Sequence, residues 1–195
     1  MIPGIIFTPI SEFSIDIGHI RNGWMDVVIS NRDKRYEYTI SYGCNPLNDI
    51  LRMMVKGIAG KPFYEQNGML IGNQCIVLHD TERDDITWAF YFDNGRMHIT
   101  IWKDINTDLI EDIYYQQFDP TTFEYYEFMQ DVDISKHLLF ALEGPMIDFA
   151  RHFKTVLENL SARKRVVDGF KDWGYKYSEK NYRLLKEYVE GYVAG

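Results

Sequence analysis

The chain has 195 residues, of which 46% are hydrophobic and 15% aromatic, and its formal net charge is −8. This composition excludes an intrinsically disordered protein, because disordered chains contain too few apolar side chains to form a core. The length predicts a single domain spanning residues 1–195. The acidic balance argues against nucleic acid as a partner, since phosphates are repelled by carboxylates.

The cysteines and the N-terminal residues bear on location. Two cysteines, Cys44 and Cys75, are too few for a disulfide framework. Residues 1–7 have neither a basic region nor a long apolar run, so no signal peptide is predicted. No stretch approaches the ~18 uncharged apolar residues of a membrane span. These observations predict a cytoplasmic protein without membrane contact.

Period-two patterns predict the strands in the first half of the chain. Met25, Val27 and Ile29 alternate with more polar positions, residues 31–34 form a polar turn, and the alternation resumes over residues 36–42. This pattern predicts a β-hairpin with one wet face. A helix over residues 46–58 follows, because Asn45 can cap it and Pro46 suits its first position. Residues 74–79 are predicted to form a further strand.

Residues 86–102 carry the strongest local signal. Asn94-Gly95 is the preferred pair for a two-residue type I′ turn, because both positions require a positive φ. The resulting register places apolar residues on one side of the hairpin, which must face the core. The opposite side, with Tyr91, His98, Ala89 and Thr100, is predicted to be a wet face or a pocket wall.

The second half of the chain is predicted to be richer in helix. Residues 123–129 are a candidate strand, and residues 134–142 are compatible with strand or helix. Helices are predicted over residues 146–160 and 179–192, and a shorter one over residues 163–173. Hairpins followed by helices, without regular βα alternation, predict an α+β fold in which a mainly antiparallel sheet of four to six strands has helices packed largely on one face.

Catalytic and metal-binding motifs are absent from the sequence. It contains no phosphate-binding glycine loop, no dinucleotide fingerprint, no nucleophile elbow and no common zinc or calcium pattern. We therefore predict no metal and no cofactor, and a protein that is not an enzyme. The alternative is a small-molecule-binding or hydrolytic α+β enzyme with His98, Tyr91 and Cys44 in a pocket.

The negative charge is concentrated in the middle of the chain. Residues 80–133 contain fourteen acidic residues and three basic ones, a net charge of −11, together with many aromatic residues. Such a surface attracts cationic proteins, and Trp and Tyr are favoured at interface centres. The predicted partner-binding residues are the carboxylates and two aromatic anchors of this segment: Asp84, Asp85, Asp104, Asp108, Glu111, Asp112, Trp102 and Tyr114.

Residues 40–51, ISYGCNPLNDIL, follow a predicted strand and precede the acidic, Trp-containing hairpin. In this order they resemble small uncharacterised bacterial proteins, some of which are similar to immunity proteins of polymorphic toxin systems. The resemblance implies a non-catalytic inhibitor of a cationic toxin, and it supplies no catalytic residues. Together with the charge, it predicts an acidic protein-binding protein that neutralises a cationic partner, a toxin that acts on nucleic acid.

Overall fold

The computed structural model describes residues 5–41, 45–60, 65–66, 69–70, 74–79, 81, 84–105, 133–162 and 177–193. The strands are β1 (Thr8–Pro9), β2 (Ser14–Arg21), β3 (Trp24–Ser30), β4 (Arg35–Ser41), β5 (Glu65–Gln66), β6 (Met69–Leu70), β7 (Gln74–His79), β8 (Ile86–Asp93), β9 (Arg96–Lys103) and β10 (Leu138–Pro145). The helices are α1 (Pro46–Ile58), α2 (Ile134–His137), α3 (Met146–Ala162) and α4 (Glu179–Val193). The predicted strand at 123–129 and the predicted helix at 163–173 lie outside the described residues.

The strands form a large sheet of five strands in the order β1-β10-β9-β8-β7, a small sheet in the order β2-β3-β4, and the separate pair β5-β6. Among the described strands, every neighbouring pair is antiparallel except β1 and β10, which run parallel. The prediction of an α+β fold with a mainly antiparallel sheet is therefore confirmed. The first predicted hairpin is also present, as β3 and β4, but it belongs to the small sheet.

The β8–β9 hairpin has the predicted turn and register. Asn94 and Gly95 have φ values of 46° and 79°, as a type I′ turn requires. The facing pairs are Phe92 with Met97, Phe90 with Ile99, Trp88 with Ile101, and Tyr91 with His98. All six apolar residues of these pairs are buried.

The opposite face of this hairpin differs from the prediction. Thr87, Ala89, Thr100 and Trp102 are each at most 2% exposed, so most of this face is not wet. The alternation of apolar and polar residues predicted one buried face, but small and aromatic residues are compatible with burial on both. Trp102 satisfies its indole N–H within the sheet by donating to Thr100 Oγ1 at 2.6 Å.

Residues 134–142 contain both structures that the sequence left open. The short helix α2 ends at His137, whose ring nitrogen Nδ1 lies 3.0 Å from the Lys103 carbonyl oxygen. Strand β10 then pairs along β9 as far as Pro145 opposite Arg96. Helix α3 begins one residue later, at Met146, whose N–H donates to the Gly95 carbonyl at 2.8 Å. The turn of the hairpin thus also holds the start of the helix.

The three long helices lie on the face of the large sheet that carries Trp88, Phe90 and Phe92, as predicted. Asn45 caps α1 by accepting from the Asn48 N–H at 3.3 Å, and Gly57 of α1 lies against the Phe92 ring. Phe149 of α3 meets Phe90 edge-on, with ring centroids 6.1 Å apart. Helix α4 packs on α1 and α3. In the described part of the chain, no helix is both long and apolar enough to cross a membrane.

The small sheet packs on the same face, beside the helices. Phe13, the residue before β2, contacts Trp88 with ring centroids 5.9 Å apart. On α3, His152 Nε2 accepts the N–H of Ile15 at 2.8 Å. One hydrophobic cluster therefore joins both sheets and the helices within the described residues. The single domain over 1–195 stays a prediction.

We predict that Gly57→Ala destabilises the protein by about 1–3 kcal/mol. A Cβ at this position would lie 2.6 Å from Cε1 of Phe92, so the buried ring or the helix would have to shift. Gly191→Ala is the matched control, because its Cβ meets nothing within 4 Å on exposed helix α4. That variant should gain up to ~1 kcal/mol from helix propensity. Urea unfolding of both variants measures the difference, and equal stabilisation by the two would contradict the close contact.

Candidate functional site: an acidic and aromatic groove

Three of the predicted carboxylates come together where β8 begins and β9 ends. Lys103 Nζ lies 2.9 Å from Asp84 Oδ2 and 3.9 Å from Asp104 Oδ2. Asp104 accepts the Asp85 N–H at 3.1 Å and returns its own N–H to the Asp85 carbonyl at 2.8 Å. The cluster is therefore fixed by strand register, and one lysine partly neutralises it.

The remaining predicted partner-binding residues have other outcomes. Asp108, Glu111, Asp112 and Tyr114 lie outside the described residues. Trp102, predicted as a candidate anchor, is fully buried, and its part in partner binding stays a prediction. Its indole is occupied within the sheet, whereas an interface anchor must present its surface to the partner.

A groove of about 550 Å³ begins at this carboxylate cluster. We call it the Tyr36 groove, and it is lined by Trp24, Tyr36, Glu37, Tyr38, Thr39, Thr81 and Asp84. Strand β4 supplies four consecutive residues of this lining, and the β7–β8 connection supplies Thr81 and Asp84. The groove thus lies between the small sheet and the end of the large one.

The β7–β8 side of the Tyr36 groove is shaped by a local hydrogen-bonded turn. Thr81 Oγ1 accepts the Asp84 N–H at 2.9 Å and donates to the Asp84 carbonyl. Because the turn uses only the backbone of Asp84, the carboxylate stays available to Lys103 and to the groove. On the opposite side, Thr39 Oγ1 donates to Asp26 Oδ1 at 3.0 Å, which fixes that hydroxyl on the small sheet.

Beneath the lining, the groove rests on a row of aromatic rings that continues into the core. Trp88 Nε1 donates to Tyr38 Oη at 3.1 Å, and this oxygen lies 2.9 Å from His79 Nδ1. Ring centroids are 6.1 Å apart for Tyr36 and Tyr38, 5.7 Å for Tyr38 and His79, and 5.4 Å for His79 and Trp88. Tyr38 therefore belongs to the groove wall and to the core at once.

His79 is the most strongly perturbed titratable group of this row. Burial lowers the pKa of its imidazole from 6.5 to about 3, so the ring is neutral at physiological pH. Its Nε2 atom has no hydrogen-bond partner among the described residues. A neutral ring fits between Tyr38 and Trp88, where a charged one would be desolvated.

The charge around the Tyr36 groove is negative. Its surroundings include five carboxylates and two cationic side chains, a local charge of −3 for the described residues: Asp26, Glu37, Asp84, Asp85, Asp104, Arg35 and Lys103. Arg35 pairs with Glu37, but both side chains are more than half exposed, where such pairs contribute little. The hydrogen bond to Asp84 raises the pKa of the Lys103 ammonium.

Sequence reasoning missed the β4 half of the site. Tyr36, Glu37, Tyr38 and Thr39 were predicted only as a strand with one wet face, because their segment carries no net charge excess. The available signal was the pair of tyrosines two residues apart, which places both rings on one face of a strand. What the pattern cannot supply is the neighbouring turn from residues 81–84 that closes the groove.

The residues of the enzymatic alternative are placed elsewhere. His98 and Tyr91 face each other across β8 and β9, with ring centroids 6.1 Å apart, and His98 Nδ1 lies 3.9 Å from Glu143 Oε2. Neither residue lines the Tyr36 groove, and Cys44 lies outside the described residues. No group of three or more His, Cys, Asp or Glu residues in the described ranges is arranged to hold a metal ion.

Comparison of the chain with protein-family models, with curated proteins and with solved structures gives no match. The resemblance to immunity proteins therefore stays a prediction. Functional inference rests on the chemistry of the Tyr36 groove, which combines carboxylates, hydroxyl groups and aromatic residues from two strands and from the β7–β8 connection.

We predict that neutral His79 makes the protein sensitive to acid. The pKa of His79 is about 3 in the folded state, whereas the pKa of an unburied imidazole is 6.5. As the pH falls, His79 is therefore protonated in the unfolded chain before it is protonated in the folded protein. The stabilisation of the folded state by the neutral His79 ring is fully present above pH 6.5 and is lost progressively as pH falls towards 3. Between about pH 7 and pH 5 the loss is about 2 kcal/mol.

The measurement is urea unfolding of the natural protein and of His79→Asn at about pH 7 and pH 5. The Asn side chain can still bond Tyr38 but does not titrate, so the variant should lose about 2 kcal/mol less over this interval. Burial also lowers the pKa of His98 and of His152, and both contributions cancel in the comparison. An equal loss in both proteins would show that His79 does not carry the effect.

Proposed function

We propose that this chain is a non-catalytic binding protein that engages a cationic protein partner through the Tyr36 groove and the carboxylates beside it. The observation that carries the proposal is the convergence of Asp84, Asp85 and Asp104 at one end of a groove whose wall is aromatic. Aromatic residues give an interface its contact area, and carboxylates select a partner of opposite charge.

The placement of the charges supports a role in recognition. Asp85 is exposed, and Asp84 and Asp104 retain 38% and 46% side-chain exposure. Lys103 offsets one of the three charges, so the cluster keeps a net charge of −2 that acts outward through solvent. Such a field steers an oppositely charged protein and raises the association rate.

The proposal includes the partner class that the sequence predicted, a cationic toxin that acts on nucleic acid. A protein built to bind phosphates carries clustered arginine and lysine side chains. A surface presenting carboxylates can occupy that phosphate site and block it. The proposed immunity function depends on such a toxin as the partner. Binding of nucleic acid by this protein would contradict the proposal.

The test begins with affinity capture from the native cell, followed by binding measurements between purified proteins. We predict that Asp85→Asn with Asp104→Asn slows association roughly threefold to tenfold at low salt and flattens its salt dependence. Asparagine at 104 retains the oxygen that accepts the Asp85 N–H, so the turn should persist.

The matched control removes two charges from exposed helix α4, with Glu187→Gln and Glu190→Gln. Those changes should leave association through the Tyr36 groove nearly unaltered. If the Asp85/Asp104 variant and the α4 variant associate at the same rate and with the same salt dependence, the carboxylate cluster is not the binding surface.

A further inference from the structure

The Tyr36 groove carries carboxylates from two different elements. Glu37 comes from β4, and Asp84 comes from the connection between β7 and β8. Trp24 and Tyr36 belong to the same lining, and Glu37 is paired with Arg35 on the exposed side of β4. A guest in this groove therefore meets acceptors from two elements of the fold and aromatic surface beside them.

The size of the groove decides between a single ion and a larger guest. A volume of about 550 Å³ corresponds to roughly 18 water molecules at ~30 Å³ each. This is far more than a metal ion needs, and the described residues contain no group of three ligands for one. The space suits a long side chain together with part of its backbone.

Lys103 shows which charge this environment favours. Its ammonium group donates a hydrogen bond to Asp84, and this bond raises the pKa of Lys103. The negative charges of Asp84 and Asp104 raise the pKa of Lys103 as well. Tyr36 acts in the same direction. The end of the groove is therefore a place where the protein already stabilises a cation of its own.

We propose that the Tyr36 groove binds an arginine side chain presented by the partner, an inference that rests on the proposed function. A guanidinium group is planar, carries five N–H donors and stacks on aromatic rings. It can therefore lie against an aromatic ring of the lining while its donors reach a carboxylate of the groove. A lysine ammonium is a point charge that cannot use the rings and both carboxylates equally well.

The internal cation gives the proposal a second consequence. Lys103 and an incoming guanidinium share Asp84, so the bound arginine must displace or share that ion pair. Removing the lysine should therefore strengthen arginine binding, whereas removing the Asp84 charge should weaken it. Opposite effects from two neighbouring residues are not expected from a general loss of structure.

The experiment titrates the isotope-labelled protein with acetyl-Gly-Arg-Gly-amide and follows amide and indole resonances by NMR. We expect saturable shifts for Trp24, for β4 and for residues 81–85. Replacing arginine by citrulline, which is neutral and nearly isosteric, should weaken binding about tenfold or more, equivalent to ~1.4 kcal/mol. The same peptide with lysine in place of arginine should bind several-fold more weakly than the arginine peptide.

Three variants locate the site. Asp84→Asn and Glu37→Gln should each weaken binding of the arginine peptide, and Lys103→Gln should strengthen it. Glu187→Gln on exposed helix α4 is the control and should change nothing. Each variant's spectrum is compared with that of the natural protein, so that a loss of folding is recognised directly.

Several outcomes would overturn the inference. Equal binding of arginine and citrulline peptides, tighter binding of the lysine peptide, or shifts confined to other parts of the chain would each do so. Binding of a neutral oligosaccharide such as cellotriose in the groove, with no response to arginine, would assign the rings and carboxylates to a sugar instead.

The two proposals fail in different ways. If the arginine peptide binds in the groove but the purified protein partner binds through another surface, the proposed function fails and the arginine site stands. If the partner binds through the carboxylate cluster but the arginine peptide does not bind, and replacing the partner's arginines with lysine leaves its affinity unchanged, the arginine site alone is wrong.

Discussion

The hydrogen bond from the Trp88 indole to the Tyr38 hydroxyl joins the two sheets of this protein. Trp88 lies on β8 of the large sheet and is fully buried, so its N–H must find an acceptor inside the protein. The backbone of its own strand is paired with β7 and β9. The acceptor comes from β4 of the small sheet, at 3.1 Å. Leaving such a donor unpaired costs about 1–3 kcal/mol, so the relative position of the sheets is constrained by one polar atom.

This constraint also determines the candidate site. Tyr38 can hold the indole only if β4 passes close to the end of β7, where His79 meets the same hydroxyl. That approach leaves the Tyr36 groove between β4 and the turn at Thr81 and Asp84. The lining residues of β4 are therefore held in position by the core. A site on strands is held more precisely than one on a loop. Tyr38 belongs both to the groove lining and to the core, so changes beneath the groove will affect the shape of the groove and the stability of the fold.

Much of the secondary structure could be predicted from the sequence, whereas the way in which the two sheets and the helices pack on one another could not. The Asn94-Gly95 turn determined the β8–β9 register, and Asn45-Pro46 marked the start of α1, because both signals are local. Strand β2 was not predicted. Its buried residues Ile15 and Ile17 follow period two, but the register with β3 shifts between Ile17 and Ile20. A bulge of this kind changes which side chains face inward and removes the alternation on which the prediction depends.

The candidate site shows the same division between local and long-range information. Charge counting identified Asp84, Asp85 and Asp104, but it gave no indication that Lys103 would lie among them or that Trp102 would be buried. It also excluded residues 36–39, whose segment is electrically neutral. The reason is physical: charge acts over roughly 8 Å in physiological salt, whereas a groove is defined by direct contacts between neighbouring atoms. Carboxylates alone would attract any cation to this surface. The rings of Trp24 and Tyr36 are what make one position on it different from the rest.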